Sequence, residues 1–236
     1  MPTPRRSRAE NRLHMEAEIL RLGRAQLTDR GPAQLSVRQI ARDLGVASSA
    51  VYRYVADRDA LLTLLLVDAY TDLADAVDAA VAAAPDTAVA RLFAVGDTLR
   101  AWALDHPSSW GLVYGTPVPG YTAPPERTTG PGTRLMATLA LVIASLRPRA
   151  TAGTPADTEA ADGPEPTGPY AEYLTAGAAA LGVDAEPVVM ADAVQAWCAI
   201  VGTISMEVFG QLGPEANDVG ESILHRTLGT ILAGRV

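Results

Sequence analysis

The sequence predicts an all-α protein in two parts, a small domain over residues 1–56 and a larger helical one over 57–236. Three observations predict it. Apolar residues recur at spacings of three and four along nearly the whole chain, the period of a helix buried on one face. Alternating runs of β-branched residues, the mark of a half-buried strand, are missing. Proline and glycine cut the periodic stretches into lengths typical of globular helices.

The elements follow in order. A first helix is expected from Arg8 to Thr28, turning Leu13, Ile19, Leu20 and Leu27 inward and ending near Gly31 and Pro32. Two short helices occupy LSVRQIARDLGVASSAVYRYV, from Leu35 to Val55. A long helix spans Asp57 to Ala84 before Pro85, the next covers Asp86 to Asp105, and a short one after His106–Pro107 carries Trp110 and Tyr114. Residues 115–132, GTPVPGYTAPPERTTGPG, read as a loop because turn formers dominate them. A helix bearing Leu135, Met136, Leu139, Val142, Ile143 and Leu146 comes next. The stretch Pro148–Pro169 has 5 Pro and 3 Gly but no Leu, Ile, Val or aromatic residue. It cannot bury enough apolar surface to offset its ordering entropy, so disorder is expected there. A minor helix at Tyr170–Leu181 and two final ones, Pro187–Leu212 and Asp218–Ala233, complete the chain.

The two short helices carry a compact pattern. Ser36, with Gln39 three residues on, is a capping-box signature that starts a helix at Val37. Val37, Ile40, Ala41 and Leu44 then form one buried face, and Gly45 turns the chain where positive φ is needed. The second helix, Val46–Val55, buries Val46, Ala50, Val51 and Val55. The spacing of Ala41, Gly45 and Val51 is that of a helix-turn-helix, in which small Ala permits close approach and Val locks the second helix onto the first. Left outside are Ser48, Ser49, Tyr52, Arg53 and Tyr54, a polar surface suited to a DNA major groove.

Charge is divided in the same sense. All 19 basic residues are Arg; residues 1–58 hold 11 of them against 6 acidic residues, net +5, although the whole chain carries −8. Such a basic head can meet a polyanion while the acidic remainder orients it. One cysteine, Cys198, excludes an internal disulfide framework and a cysteine-built zinc site. No run of 18 apolar residues and no apolar core in MPTPRRSRAE argue against a membrane span or secretory signal, so a cytoplasmic protein without membrane partners is expected. His14, His106 and His225 are dispersed, and neither a phosphate-cradling glycine loop nor a nucleophile elbow is present; we expect no enzyme, no cofactor and no metal. Asp68, Asp72, Asp75 and Asp78 share one face of the long helix and read as a solvated face.

The stretch LSVRQIARDLGVASSAVYRYVADRDALL resembles the N-terminal DNA-binding domain of the TetR family of bacterial transcription regulators, over about residues 10–66. Ala41, Gly45, Val51-Tyr52, Tyr54-Val55 and a basic residue before Leu61-Leu62 fall in family order. The resemblance implies that Arg38, Ser48, Ser49 and Arg53 read bases of double-stranded DNA, while Ser36, Tyr52, Tyr54 and Arg58 hold phosphates. Tyr54 stands where many members have His, and Arg58 where Lys is usual. WCAIVGTISME, with Trp197, Gly202 and Glu207, is similar to a C-terminal subclass with a Trp-His-Gly pattern, and DHPSSWGLVYG to its His-Pro segment. Val201 replaces the histidine, so no histidine role carries over.

By that resemblance 57–236 is an effector-binding and dimerisation domain, with Trp102, Trp110, Tyr114, Met136, Trp197 and Met206 as candidate lining of a small-molecule cavity. Val194, Val201, Ile204 and Val208, with Ile223, Leu224, Leu228 and Ile231, repeat at three and four on the last two helices. They suit either an intrachain core or a four-helix seam between two copies. The expected function is that of a ligand-responsive regulator: a homodimeric repressor of a palindromic operator, released by an effector. The alternative is a helical small-molecule binding protein that does not touch DNA.

Overall fold

The computed structural model describes residues 7–146 and 165–233, and among these are ten α-helices, two short 3-10 turns and no strand. The helices are α1 (Arg8–Arg30), α2 (Val37–Asp43), α3 (Ser48–Val51), α4 (Arg58–Ala83), α5 (Ala88–Asp105), α6 (Pro107–Tyr114), α7 (Pro125–Leu146), α8 (Gly168–Leu181), α9 (Pro187–Val208) and α10 (Gly220–Ala233). The all-α expectation holds.

Local chemistry sets the boundaries. Ser7 and Glu10 form a complete capping box at the start of α1: the Glu10 N–H donates to Ser7 Oγ at 3.1 Å, and the Ser7 N–H to Glu10 Oε2 at 2.6 Å. Helix α9 stops at Val208, four residues short of expectation, where Gly210 takes φ 68°. The expected 115–132 loop is shorter than composition implied, because α7 begins at Pro125 and carries Pro131 inside it. Proline at a helix start loses no bond, since the first N–H groups have no helical acceptor. At Pro131 one rung is missing, and burial of Thr128 and Leu135 on either side holds the helix together.

Of the stretch expected to be disordered, 148–164 lies outside the described residues, whereas Gly168 and Pro169 already form the first turn of α8. Helix α8 buries Leu174 and Ala178 and packs on α9. Its apolar content lies wholly C-terminal to Pro169, which is why a window ending there hid its start.

The chain forms two compact units, Met1–Tyr70 with His106–Thr129, and Thr71–Asp105 with Gly130–Val236. The core of the first contains Ile19, Leu27, Leu35, Val37, Ile40, Ala41, Val51, Val55, Leu61, Leu62 and Leu65, joined by Val118 from far along the chain. In the second, α9 packs on α8 and α10, and α5 on both α9 and α10. Leu92, Leu99, Leu139, Ile143, Ile200, Ile204, Leu224 and Leu228 are fully buried there. Gly96 lets α5 and α10 approach: a Cβ on it would lie 2.9 Å from Leu228 Cδ1.

Two polar features brace these cores. The acidic face of α4 is solvated at Asp72 and Asp75, which are exposed, but all four of its carboxylates are also paired. Asp68 accepts from Arg24 Nε at 2.7 Å, and Asp72 from the Trp102 indole at 2.8 Å. Asp75 and Asp78 accept from Arg134 at 2.6 and 2.8 Å, and Asp78 also from Thr138 at 2.9 Å. Each carboxylate meets a donor on a neighbouring helix, which linear spacing could not reveal. In the second unit Arg100 grips Glu207 with Nε and Nη2 at 2.9 and 2.6 Å, and the Glu207 side chain is only 2% exposed. Gly220, at the start of α10, has no room for a side chain because its Cβ would meet this carboxylate.

Candidate nucleic-acid interface

The helix-turn-helix is built from the inside outward. Val37, Ile40 and Ala41 of α2 and Val51 of α3 are buried, and so is Val55 just beyond. Between the helices, the Gly45 N–H donates to Arg42 O and the Val46 N–H to Ala41 O, each at 3.0 Å, with Gly45 at φ 66°. This is the Schellman ending, and it fixes the angle at which α3 leaves α2.

Ser36 caps α2 by accepting from the Gln39 N–H at 3.2 Å, but Gln39 does not return the bond. Its amide bonds Asp43 instead, and the Ser36 N–H donates to buried Gln26 of α1 at 2.9 Å. A long-range partner thus supplies half of the expected capping box. Gln26 went unnoticed in the sequence, although a lone polar residue on the inward face of α1, beside Leu27, was the available signal. While accepting from Gln39, the Ser36 hydroxyl keeps its own proton for an outside acceptor such as a phosphate.

The regular part of α3 covers Ser48–Val51, and the chain continues helically, with the Val55 N–H donating to Val51 O at 3.1 Å. Ala47 takes the N-cap position and offers no side-chain cap. Ser49, Tyr52 and Arg53 are exposed, as is Arg38 on α2, while Ser48 and Tyr54 are half-buried, the latter packed against the edge of the core. Arg38 and Arg53 make no hydrogen bond or ion pair among the described residues, so both guanidinium groups are available to a ligand. Arg58 is committed differently: its Nη2 donates to Pro32 O at 3.0 Å, which ties the start of α4 to the turn after α1.

Of the six residues expected to line a cavity, two lie in the first unit and four in the second. Trp110, fully buried, packs against Tyr114 in the first unit, with ring centroids 4.5 Å apart and the planes inclined by 57°. Burial pushes the phenol of Tyr114 far above the ordinary range, and that of Tyr70 upward in the same unit. Trp102, Met136, Trp197 and Met206 belong to the second unit, where Trp102 is buried, Met136 and Trp197 are half-buried and Met206 is exposed. Two clefts of that unit are lined by other residues, Arg91 and Leu141 in one, Tyr170 and Asp192 in the other.

On the expected seam, Ile204, Leu224 and Leu228 are fully buried inside the chain and belong to its own core. Val194, Val201, Val208, Ile223 and Ile231 are half-buried, with Met206 and Phe209 exposed beside them. Helix α9 is long and apolar enough to cross a membrane, with mean hydropathy 1.5, yet 39% of that window is buried.

Comparison with known proteins agrees with this architecture. Residues 19–65 match the family model described as bacterial regulatory proteins, tetR family, and residues 92–231 that of a tetracyclin repressor-like C-terminal domain. The HTH-type transcriptional regulator Rv1816 of Mycobacterium tuberculosis is 44% identical over 213 residues, spanning 88% of this chain and 86% of the relative. A regulator from Mycobacterium bovis, Mb1846, matches to the same extent. Among solved structures, the regulatory protein SCO4313 superposes with a TM-score of 0.76 at 29% identity, over 98% of this chain and 100% of that one. The fatty acid degradation regulator FadR of Bacillus halodurans shares the fold, with a TM-score of 0.58 at 12% identity over 90% of this chain and 97% of that one.

Proposed function

This chain belongs to the TetR family of bacterial regulatory proteins and is a DNA-binding transcription regulator, and from that premise we propose that it is a homodimeric repressor of a palindromic operator, released by a small-molecule effector. The observation that carries the reading is the outer face of α2 and α3. Val37, Ile40, Ala41 and Val51 are spent on the core, while Arg38, Ser49, Tyr52 and Arg53 stand exposed. Arg38, Ser48, Ser49 and Arg53 address base edges, with Arg able to pair bidentately with guanine. Ser36, Tyr52 and Tyr54 position the head on phosphates, and Arg58 does so with whatever donors Pro32 leaves it.

Dimerisation uses α9 and α10. A helix as apolar as α9, with less than half its window buried in its own chain, needs a second apolar surface. Val194, Val201, Val208, Ile223 and Ile231 supply it together with exposed Met206 and Phe209, backed by Ile204, Leu224 and Leu228. A two-fold partner sets two heads about one DNA turn apart, roughly 34–36 Å. The effector binds near the large rings, Trp110 and Tyr114 foremost, and favours a form that does not fit DNA, with a typical coupling of about 1–3 kcal/mol. Such a protein works in the cytoplasm, where its operator is.

A footprint on the promoter region upstream of the chain's own gene tests the proposal. Protection of two half-sites, lost on adding an effector found by thermal-shift screening, is the expected result. An unprotected region at low salt would contradict it.

A further inference from the structure

The connection between α6 and α7, residues 115–124, takes no part in the DNA reading above, and it does not behave as a surface loop. Val118 is only 9% exposed and belongs to the same apolar cluster as Ile40, Val51 and Leu61, with Tyr121 and Leu112 packed against it. Two prolines, Pro117 and Pro119, flank Val118 and restrict the chain before it docks. A turn follows, closed by the Tyr121 N–H on Val118 O at 3.1 Å with Gly120 at φ 76°. The Tyr121 hydroxyl then lies 2.9 Å from Oγ1 of Thr63, a residue of α4 that is 3% exposed. Thr63 gives its own proton to Asp59 O at 2.9 Å, so Tyr121 is the donor in this pair. An apolar side chain and a part-buried hydrogen bond therefore hold this segment against the core that supports α2 and α3.

The other end of the segment is equally constrained. It leaves α6 directly after Tyr114, whose ring packs at a tilt against buried Trp110. At Gly115 a Cβ would lie 2.3 Å from Gly111 O, so the exit from α6 admits no side chain. Head, segment and the Trp110–Tyr114 pair all belong to one compact unit.

We propose that residues 115–124 are a strap that completes the core of the DNA-binding head and passes to it the state of the Trp110–Tyr114 end of α6. The proposal rests on the DNA-binding reading and adds to it. With Val118 and Tyr121 seated, α2 and α3 are held in the form that fits a groove. A change in α6 that withdraws them leaves the head core one side chain short and its Thr63 hydroxyl without the Tyr121 donor. Control then acts through order within each head, in addition to the distance between two heads.

The test is hydrogen exchange on the full-length protein, read at the amides of α2 and α3 and, as a reference, of α9 and α10. Val118→Ala should speed exchange in α2 and α3 roughly tenfold or more while leaving α9 and α10 unchanged. Tyr121→Phe, which keeps the ring and removes only the donor, should act in the same direction more weakly. Thr63→Val combined with Tyr121→Phe should be no worse than Thr63→Val alone, which already removes the Tyr121 bond together with the one to Asp59 O. Should Val118→Ala fail to fold, Tyr121→Phe decides. Unchanged exchange in the head of Tyr121→Phe, or equal acceleration in α9 and α10, overturns the strap. Binding of each variant to upstream promoter duplex separates the two readings. Normal DNA binding with an indifferent head removes the strap alone, whereas a responsive head in a protein that binds no duplex removes the DNA reading and keeps the strap.

Discussion

Arg53 and Arg100 show how one residue type serves two ends. Arg53 is exposed and free of partners among the described residues, so removing it costs the fold little and costs DNA recognition what it contributed. Arg53→Ala should weaken operator binding by about 1–3 kcal/mol and relax preference at one base position. Fluorescence anisotropy against a panel of single-base operator variants reads both effects, and a uniform loss across the panel would make Arg53 a phosphate contact instead. Arg100 lies on the other side of the balance, because Glu207 is buried and has that guanidinium as its bidentate partner. Arg100→Ala leaves a carboxylate in the core without its counter-ion, and about 3–5 kcal/mol of unfolding free energy should disappear in a urea titration. The same carboxylate blocks the space beside Gly220, so Gly220→Ala should lower stability by about 1–3 kcal/mol through overpacking. Tyr70 and Tyr114 add a pH effect: burial raises both phenols above their ordinary value, so the unfolded chain releases these protons first. Stability from this source is complete below the unfolded phenol range near pH 10 and falls as pH rises through it. Denaturation midpoints followed from pH 8 upward should show that decline, reduced in Tyr114→Phe.

Among the elements, the sequence was most readable where apolar period and a stop signal coincided. Helices α2, α4 and α5 lie within two residues of their expected ends, because Ser36, Pro85 and His106–Pro107 act locally. It was least readable where a distant partner decides. Gln26 completes the cap of Ser36 from ten residues upstream, and Arg134 takes up two aspartates more than fifty residues away. Proline misled at α7, since composition cannot distinguish proline that begins a helix from proline in a turn. The polar face of α3 could be listed from spacing, yet only the fold shows Arg53 free and Arg58 engaged with Pro32. For the candidate lining of a cavity, the fold adds what spacing could not: Trp110 and Tyr114 meet in the first unit, and Trp102, Met136, Trp197 and Met206 belong to the second.

At the scale of the molecule, a net charge of −8 coexists with a head of net +5 over residues 1–58, so attraction to DNA is directional. If four to six phosphates are neutralised per dimer, the logarithm of the binding constant should fall against that of salt with a slope of roughly −4 to −5. Titrations between 50 and 300 mM salt check it, and a flat line would rule out phosphate contact as a main source of affinity. The first unit is also discontinuous, since Val118 returns to a core that begins at Ile19. Anyone wishing to graft this operator specificity onto another sensor would find that a cut behind residue 56 or 70 yields an unfinished piece. A working chimera has to bring 106–129 along with the N-terminal segment, and shuffling between relatives is expected to succeed only when both stretches come from one parent.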